Sequence, residues 1–420
     1  MFVGFGARDA ENRQTSEFGR GRRACQHDGM RVVLAPTRFA GTLTAQEAAV
    51  AMARGWSAAA PHDDLVLAPM SDGGPGFLDV LGEALGGQTL AATVEDPTGR
   101  AVPAGVLLVD EDGTRTAYVE AAQACGPDLV DADHRDPAHT SSFGVGQLLL
   151  LALSTEPRRI VVGVAGSAVH DAGAGMLAAL GAGERDVLGA GGLALQQATT
   201  GDLPGLTSVV HRFRAVELVL ATSATLPLLG FQGASAVEAE GRGATREQAQ
   251  ALEAAFGQWV DVVTRVLPQP RDLLGGGARR IDKESGAGAA GGIGYALLLL
   301  GARRADGAQY VAEQIGLPAL VAGADLVVTG EGTYDWRSLR DSAPSAVSEL
   351  AMAAGIPAVA LAGQVRVGRR EAMTAGLSGA YAVCDRPEDV PGALADPVGT
   401  LEARAARVAA TWSPPPEGTA

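Results

Sequence analysis

Apolar residues fall along this chain in two rhythms. Short runs rich in Val, Ile, Leu and Ala end in clusters of Gly, Ser, Thr, Asp and Pro, and longer segments with helical spacing follow them. The stretch RVVLAPTRFAGTL, residues 31–43, shows the unit most clearly. Val32, Val33 and Leu34 have the composition of a strand covered on both faces, and Ala35 and Pro36 end it. Gly41 lets the backbone turn. Thr42 or Thr44 can then cap a helix, and Glu47, three residues after Thr44, completes a capping box. The helix runs over 44–60 and Pro61 stops it. A strand over 65–70, the loop SDGGPG over 71–76 with Asp72, and a helix from Phe77 to Leu85 complete a βαβα unit, the signature of a parallel sheet.

From Ala91 the texture changes. VEDPTGRAVPAGVLLV and TRTAYVEAA alternate or run apolar between the turn signals Asp96-Pro97, Gly99 and Asp112-Gly113, which predicts antiparallel pairing. A capped helix is expected over 140–152, and strand, glycine loop and helix over 158–177, with His170 and Asp171 in the loop. Residues 186–217 carry little pattern. A strand and loop follow over 215–230, an amphipathic helix over 245–266 and a polar, glycine-rich connection over 270–285. A glycine loop then leads into an apolar helix over 285–302. Strand, loop and helix cover 324–339, and final strands cover 356–363 and 379–385. The segment from Trp412 reads as a disordered tail. Residues 1–29 read as a disordered extension rather than a secretory signal, with Met30 as an alternative start.

At 420 residues the chain predicts two domains. Its 57 glycines, about twice the usual share, sit between apolar runs without a repeat period. A net charge of −15 argues against nucleic acid or an acidic membrane surface as partner. Lys283 is the single lysine, so any phosphate clamp must come from Arg, backbone N–H, a helix dipole or Mg²⁺. Cys25, Cys125 and Cys384 lie far apart without zinc spacing, which fits a reducing cytoplasm, and no apolar run is long enough to span a bilayer.

Five expected strand-end loops combine Gly with Asp, Glu, Ser or Thr: 35–43, 71–76, 165–175, 286–294 and 329–335. Each alone is explained as a tight turn. Together they favour an anion site built from backbone N–H groups, with carboxylates to serve Mg²⁺ and a substrate hydroxyl. No Walker sequence occurs, and GSAVHDAGAG is not the dinucleotide fingerprint, so phosphoryl transfer is favoured over hydride transfer.

The ordered set APTRFAGTL, PMSDGGPG, DPTGR, TSSFGVGQL, GVAGSAVHDAGAGML, LPLLGFQGASA, GAGAAGGIG, VVTGEGTYD and ALAG resembles the type I glycerate kinase family, which phosphorylates D-glycerate with Mg-ATP. The resemblance runs from Met30 to about Asp385. It implies an α/β fold of two α/β domains: a Rossmann-like doubly wound domain, a second mixed-sheet α/β domain inserted in it, and the active site in the cleft between them. The expected division is 30–92 with 283–391 for the first domain, 93–282 for the inserted one, and 392–420 for a C-terminal helix and tail.

The same resemblance implies roles. Asp72, Asp171 and Asp335 are the catalytic candidates. Arg38, Gly41, Gly73, Gly74, Gly166, Ser167 and Arg242 are the substrate or phosphate group. Gly288, Gly291, Gly292, Gly330, Glu331 and Gly332 are the nucleotide group, and Glu331 with Asp335 the Mg²⁺ ligands. Each has a plainer alternative: an Asx turn at Asp72, helix capping at Asp171, Glu331 and Asp335, and tight packing at Gly288, Gly291 and Gly292. His170 reads as structural. Several usual residues are replaced: Thr37 stands for Asp, Ala40 for Lys, Ser223 to Leu226 for an Asp- and Asn-containing segment, Ser342 for Lys, and Thr333 for Arg. Asn and a paired Gly around Asp171 have become His170 and Ala172. Arg38, Arg242, Arg337 and Arg340 are candidate substitutes for the lost lysines. Two functions follow as expectations: a kinase of glycerate or a close hydroxy acid, using ATP and Mg²⁺, with no nucleic acid or membrane as partner and a homodimer as the candidate assembly, or an impaired paralogue that binds a small acid or nucleotide without efficient turnover.

Overall fold

The computed structural model describes residues 29–268 and 279–413. The expected disorder before residue 29 and after 413 therefore lies outside the described residues. Trp412, expected in the tail, instead closes the helix Pro397–Trp412 and donates its indole N–H to the Tyr381 hydroxyl at 2.8 Å.

Thirteen strands are described: β1 (Arg31–Pro36), β2 (Asp64–Leu67), β3 (Gln88–Glu95), β4 (Ala101–Glu111), β5 (Thr114–Glu120), β6 (Arg159–Gly163), β7 (Glu217–Ala221), β8 (Arg303–Ala305), β9 (Leu326–Gly330), β10 (Thr333–Tyr334), β11 (Ala358–Ala362), β12 (Gln364–Val365) and β13 (Gly379–Ala382). The first sheet is wholly parallel, in the order β13-β11-β9-β1-β2. The chain runs to one side of β1 through β2 and to the other through β9, β11 and β13. The carboxyl ends of β1 and β9 are thus a topological switch point, where open α/β sheets bind ligands. The second sheet has the order β3-β4-β5-β6-β7-β8, with β3 to β5 an antiparallel meander and β5 to β8 parallel.

Burial explains the order. Val32, Val33, Leu34 and Ala35 of β1 are fully buried, as a central strand with both faces covered requires. One core packs the helices Ala45–Ala59 and Pro397–Trp412 on the outer face of the first sheet. At Gly55 the two helices come so close that a Cβ would stand 2.0 Å from the Glu402 carbonyl oxygen. A second core lies between the sheets. There Phe77 and Leu81 of the helix Phe77–Leu85 and Val311 of the helix Gly307–Gln314 meet Val33 and Val327 from one side and Leu107, Tyr118 and Val161 from the other. The third core covers the far face of the second sheet with the helices Phe143–Ser154, Arg246–Val266 and Ala289–Leu299. The fold is therefore α/β, with the two large sheets joined through a shared middle layer and β10 and β12 paired as a small parallel sheet of their own.

The helix Ala289–Leu299 and β8, expected with the first sheet, pack and pair with the second. Residues 286–294 follow a short 3-10 turn, Ile281–Lys283, rather than a strand. Among the described residues, no helix is long and apolar enough to cross a membrane.

Candidate active site

The loops at the carboxyl ends of β1, β2 and β9 face Pro127, Asp128, Ala165 and Gly166 from the second sheet across a cleft of about 530 Å³. The loop after β1 is fixed at both ends. Thr37 donates its N–H to the Gly330 carbonyl at 2.7 Å, and a Phe39–Leu43 bridge closes a turn with Gly41 at φ +78°. That turn presents Arg38 to the cleft, where its guanidinium donates to Asp128 Oδ2 at 2.9 Å. Asp128 carried no signal in the sequence, being one polar residue in a GPD turn.

Asp72 lies in the loop after β2. The loop is pressed against the end of β7: a Cβ on Gly73 would stand 2.6 Å from the Ala221 carbonyl oxygen. Asp72 Oδ1 accepts the Gly74 N–H at 3.1 Å, so the Asx turn is present. The residue keeps part of its surface open to the cleft. Protein nevertheless surrounds its carboxyl closely enough that desolvation raises its pKa, helped by Asp306 and opposed by the Gly74 N–H and by Arg38.

Glu331 enters the same cleft from the loop after β9, its backbone held by the Gly363 N–H at 3.0 Å. Burial pushes its carboxyl up to about 7, with the charges of Asp72 and Asp335 adding to the shift and Ser338 opposing it. Glu331 Oε1 is buried and has no hydrogen-bond partner. An orphaned carboxylate oxygen near a second carboxylate suits Mg²⁺, which takes hard oxygen ligands and commonly uses one or two carboxylates with phosphates and waters. No group of three or more His, Cys, Asp or Glu is placed to hold a metal alone among the described residues, so ligand oxygens would complete the set.

The other candidates sort by position. Gly166 and Gly332 line the cleft, whereas Gly41 borders a neighbouring groove. Asp335 turns into its own loop, accepting the Arg337 N–H at 2.8 Å in an Asx turn, and caps no helix, since the next one starts at Ala343 with Ser342 as its cap. Asp171 is fully buried and accepts from Ser142 N–H and Oγ and from the N–H groups of Gly173 and Gly175. It ties the 165–175 loop to the start of the helix Phe143–Ser154 instead of facing the cleft. Ser167 Oγ accepts the Val169 N–H within its own turn. Arg242 spends its guanidinium on the Ser167 carbonyl, His170 Nδ1 and Glu238. His170 is fully buried and stacked on Phe256, and burial with the Arg242 charge holds its pKa well below the usual range. Its Nδ1 accepts from Arg242, which leaves Nε2–H to donate to Ser235 Oγ at 3.0 Å.

Gly288, Gly291 and Gly292, expected at a nucleotide, are buried packing glycines. A Cβ at these positions would stand 2.4 Å from the Pro227 oxygen, 2.2 Å from the Val169 oxygen and 2.5 Å from Ala172 Cα. Gly291 and Gly292 also have left-handed backbone, at φ +67° and +97°. Gly330 likewise faces the Leu361 carbonyl at the end of β9.

Of the four arginines offered as replacements for lysine, only Arg38 lines the cleft. Arg337 lies over the exposed Trp336 ring, and Arg340 is exposed. The replaced positions Thr37, Ala40, Thr333 and Ser342 do line it, while Ser223 is buried and accepts the Ala308 N–H. Ser342 caps the helix Ala343–Ala354, so a helix N-terminus borders the cleft where the lysine is missing.

The chain is also similar to known proteins over most of its length. A model described as "Glycerate kinase family" matches residues 32–413. The chain is 35% identical over 370 residues to a glycerate kinase of Bacillus subtilis, covering 87% of this chain and 91% of that one. It is 33% identical over 343 residues to a glycerate 2-kinase of Escherichia coli, covering 80% and 86%. A crystal structure of a provisionally named glycerate kinase 2 from Salmonella typhimurium LT2 superposes with a TM-score of 0.68 at 33% identity, covering 91% of this chain and 98% of that one. An α/β fold of two joined sheets, a carboxylate cleft at the switch point and likeness over nearly the whole sequence lead to one assignment: the chain belongs to the glycerate kinase family.

Proposed function

We propose that the cleft transfers the γ-phosphoryl group of Mg-ATP to a hydroxyl of D-glycerate or a similar small hydroxy acid. The observation that carries this reading is the pair Asp72 and Glu331, two carboxyl groups brought to one cleft with proton affinities raised above the ordinary range. Asp72 accepts the proton of the substrate hydroxyl, a task suited to a carboxylate more basic than usual. Arg38 meets an anionic group of the substrate by exchanging its Asp128 partner for it. The N-terminus of the helix Ala343–Ala354 adds a positive dipole end beside the phosphates. Glu331 Oε1 supplies a ligand for Mg²⁺, which when bound neutralises charge on the transferring phosphates. The test is incubation of the purified chain with Mg-ATP and D-glycerate, with the product identified by phosphorus NMR. A phosphoglycerate signal supports the reading, and unchanged ATP with glycerate present contradicts it.

One observation favours a second reading, ligand binding without efficient turnover. Arg38 is the single cationic side chain among the described residues lining the cleft, and Asp128 neutralises it. Loss of charge stabilisation at a phosphoryl site typically costs a few kcal/mol of barrier. A thermal shift with ATP or D-glycerate, without product, would select this reading.

A further inference from the structure

The cleft has two ends of different chemistry. At β2, β1 and β9 the strand-end loops contribute Ser71, Asp72, Arg38 and Glu331. Past β11 and β13 the wall turns apolar, with Val383, Val390, Leu394, Pro397 and Leu401. This wall is fixed in place. Gly363 N–H donates to the Glu331 carbonyl at 3.0 Å, Val383 N–H to Ala362 at 2.8 Å and Cys384 N–H to Gly363 at 2.9 Å, so the loops continue the sheet's pairing beyond its strands. Leu401 belongs to the helix Pro397–Trp412, which is seated on the helix Ala45–Ala59. Leu394 is 60% exposed, a large apolar side chain left uncovered beside the cavity.

The spacing between the two ends follows from the strand order. Three interstrand steps separate β1 from β13, about 14 Å at the usual strand spacing of ~4.8 Å. An extended nucleoside triphosphate covers such a span from its base to its terminal phosphate. The glycine loop 288–292 offers no competing base site, because backbone from 169–172 and Pro227 and the side chains of Leu226 and Leu228 fill the space beside it.

We propose that the apolar end holds the base of the phosphoryl donor, so that a nucleoside triphosphate lies across the strand ends. Its base packs on Val390 and Leu394, and its terminal phosphate reaches Arg38, Asp72 and Glu331. The inference rests on the phosphotransfer reading and adds to it the location and orientation of the donor. The base is held by apolar contact, as flat rings with π faces favour, while the phosphates are held by charge.

The test is calorimetric titration of the full chain, in Mg²⁺, with ATP and separately with inorganic triphosphate. Leu394→Asn removes the uncovered apolar contact, and Leu394→Phe keeps it. ATP is expected to bind the wild type more tightly than triphosphate does. Leu394→Asn should weaken ATP about three- to tenfold, the value of several tens of Å² of apolar contact. Leu394→Phe should retain ATP affinity, and triphosphate should bind all three proteins alike, which also shows that they are folded. If Leu394→Asn binds ATP as the wild type does, the base site is refuted while the phosphotransfer reading stands. If the variant instead raises the KM for D-glycerate and leaves ATP unaffected, the apolar end belongs to the hydroxy acid and the inference is overturned. If the wild type binds neither probe, the inference and the phosphotransfer reading both fail.

Discussion

Replacing Glu331 by Gln should make the metal-free protein more stable at pH 8 and leave it nearly unchanged at pH 5. The Glu331 carboxyl has a pKa pushed up to about 7 in the folded protein, against an ordinary 4.5 in the unfolded chain. Between those values the folded state holds a proton that the unfolded chain has released, so stability falls as pH rises across the window. Below it both states are protonated. Above it both are ionised, and the folded state carries a poorly solvated charge. At ~1.4 kcal/mol per unit the full shift corresponds to roughly 3.5 kcal/mol. Access to water through the cleft reduces this to about 2 kcal/mol at pH 8. At pH 5 the same linkage leaves about 0.5 kcal/mol. Glu120 also has a pKa of about 7, but it is common to both proteins and cancels. The assay is urea unfolding in chelator, followed by the fluorescence of the buried Trp56 and Trp259, with equal slopes required of the two proteins. Equal stability differences at the two pH values, or a Glu331→Gln protein less stable at pH 8, would refute the placement of this carboxylate.

Ala40→Lys places a second cation on a cleft lined by one, and should lower the KM for ATP about three- to tenfold at low salt, an advantage that shrinks as salt rises; steady-state kinetics at two ionic strengths measure it, and a salt-independent effect would argue against a charge contribution. Arg242→Ala removes a guanidinium bonded to Ser167, His170 and Glu238, and should cost about 2–4 kcal/mol in urea unfolding. A large rise in substrate KM with unchanged stability would return Arg242 to the substrate.

The elements that the sequence disclosed are those whose signals are local. The Thr44–Glu47 capping box is present as expected, and Thr245 with Gln248 makes the same device at the start of the helix Arg246–Val266. The helix Phe77–Leu85 begins and ends where its pattern does. Association across space was harder to read. β8 is three residues long, too short to show a period, and it is a strand because β7 offers it an edge.

Composition also could not separate one glycine loop from another. The loop 71–76 turns a carboxylate toward a cleft, whereas 286–294 uses glycine to admit neighbouring backbone. Asp171 and Asp72 look alike in sequence, each in a glycine loop. Four donors converge on the first, while the second keeps part of its surface open and accepts from Gly74. Arg38 and Arg340 were equally plausible cations until the turn at Gly41 placed one in the cleft and the loop at 335–341 left the other exposed.

The central claim, that Asp72 accepts the hydroxyl proton in a phosphoryl transfer, is tested most directly by coupled ADP release from Mg-ATP and D-glycerate in the wild type and in Asp72→Asn. The account predicts glycerate-dependent turnover of ~1–10³ per second in the wild type. It predicts a fall of about 10²–10⁴ in kcat for the variant, with undiminished stability because a partly desolvated charge has been removed. Turnover that survives Asp72→Asn, or a wild type that binds both ligands and releases no ADP, would contradict it.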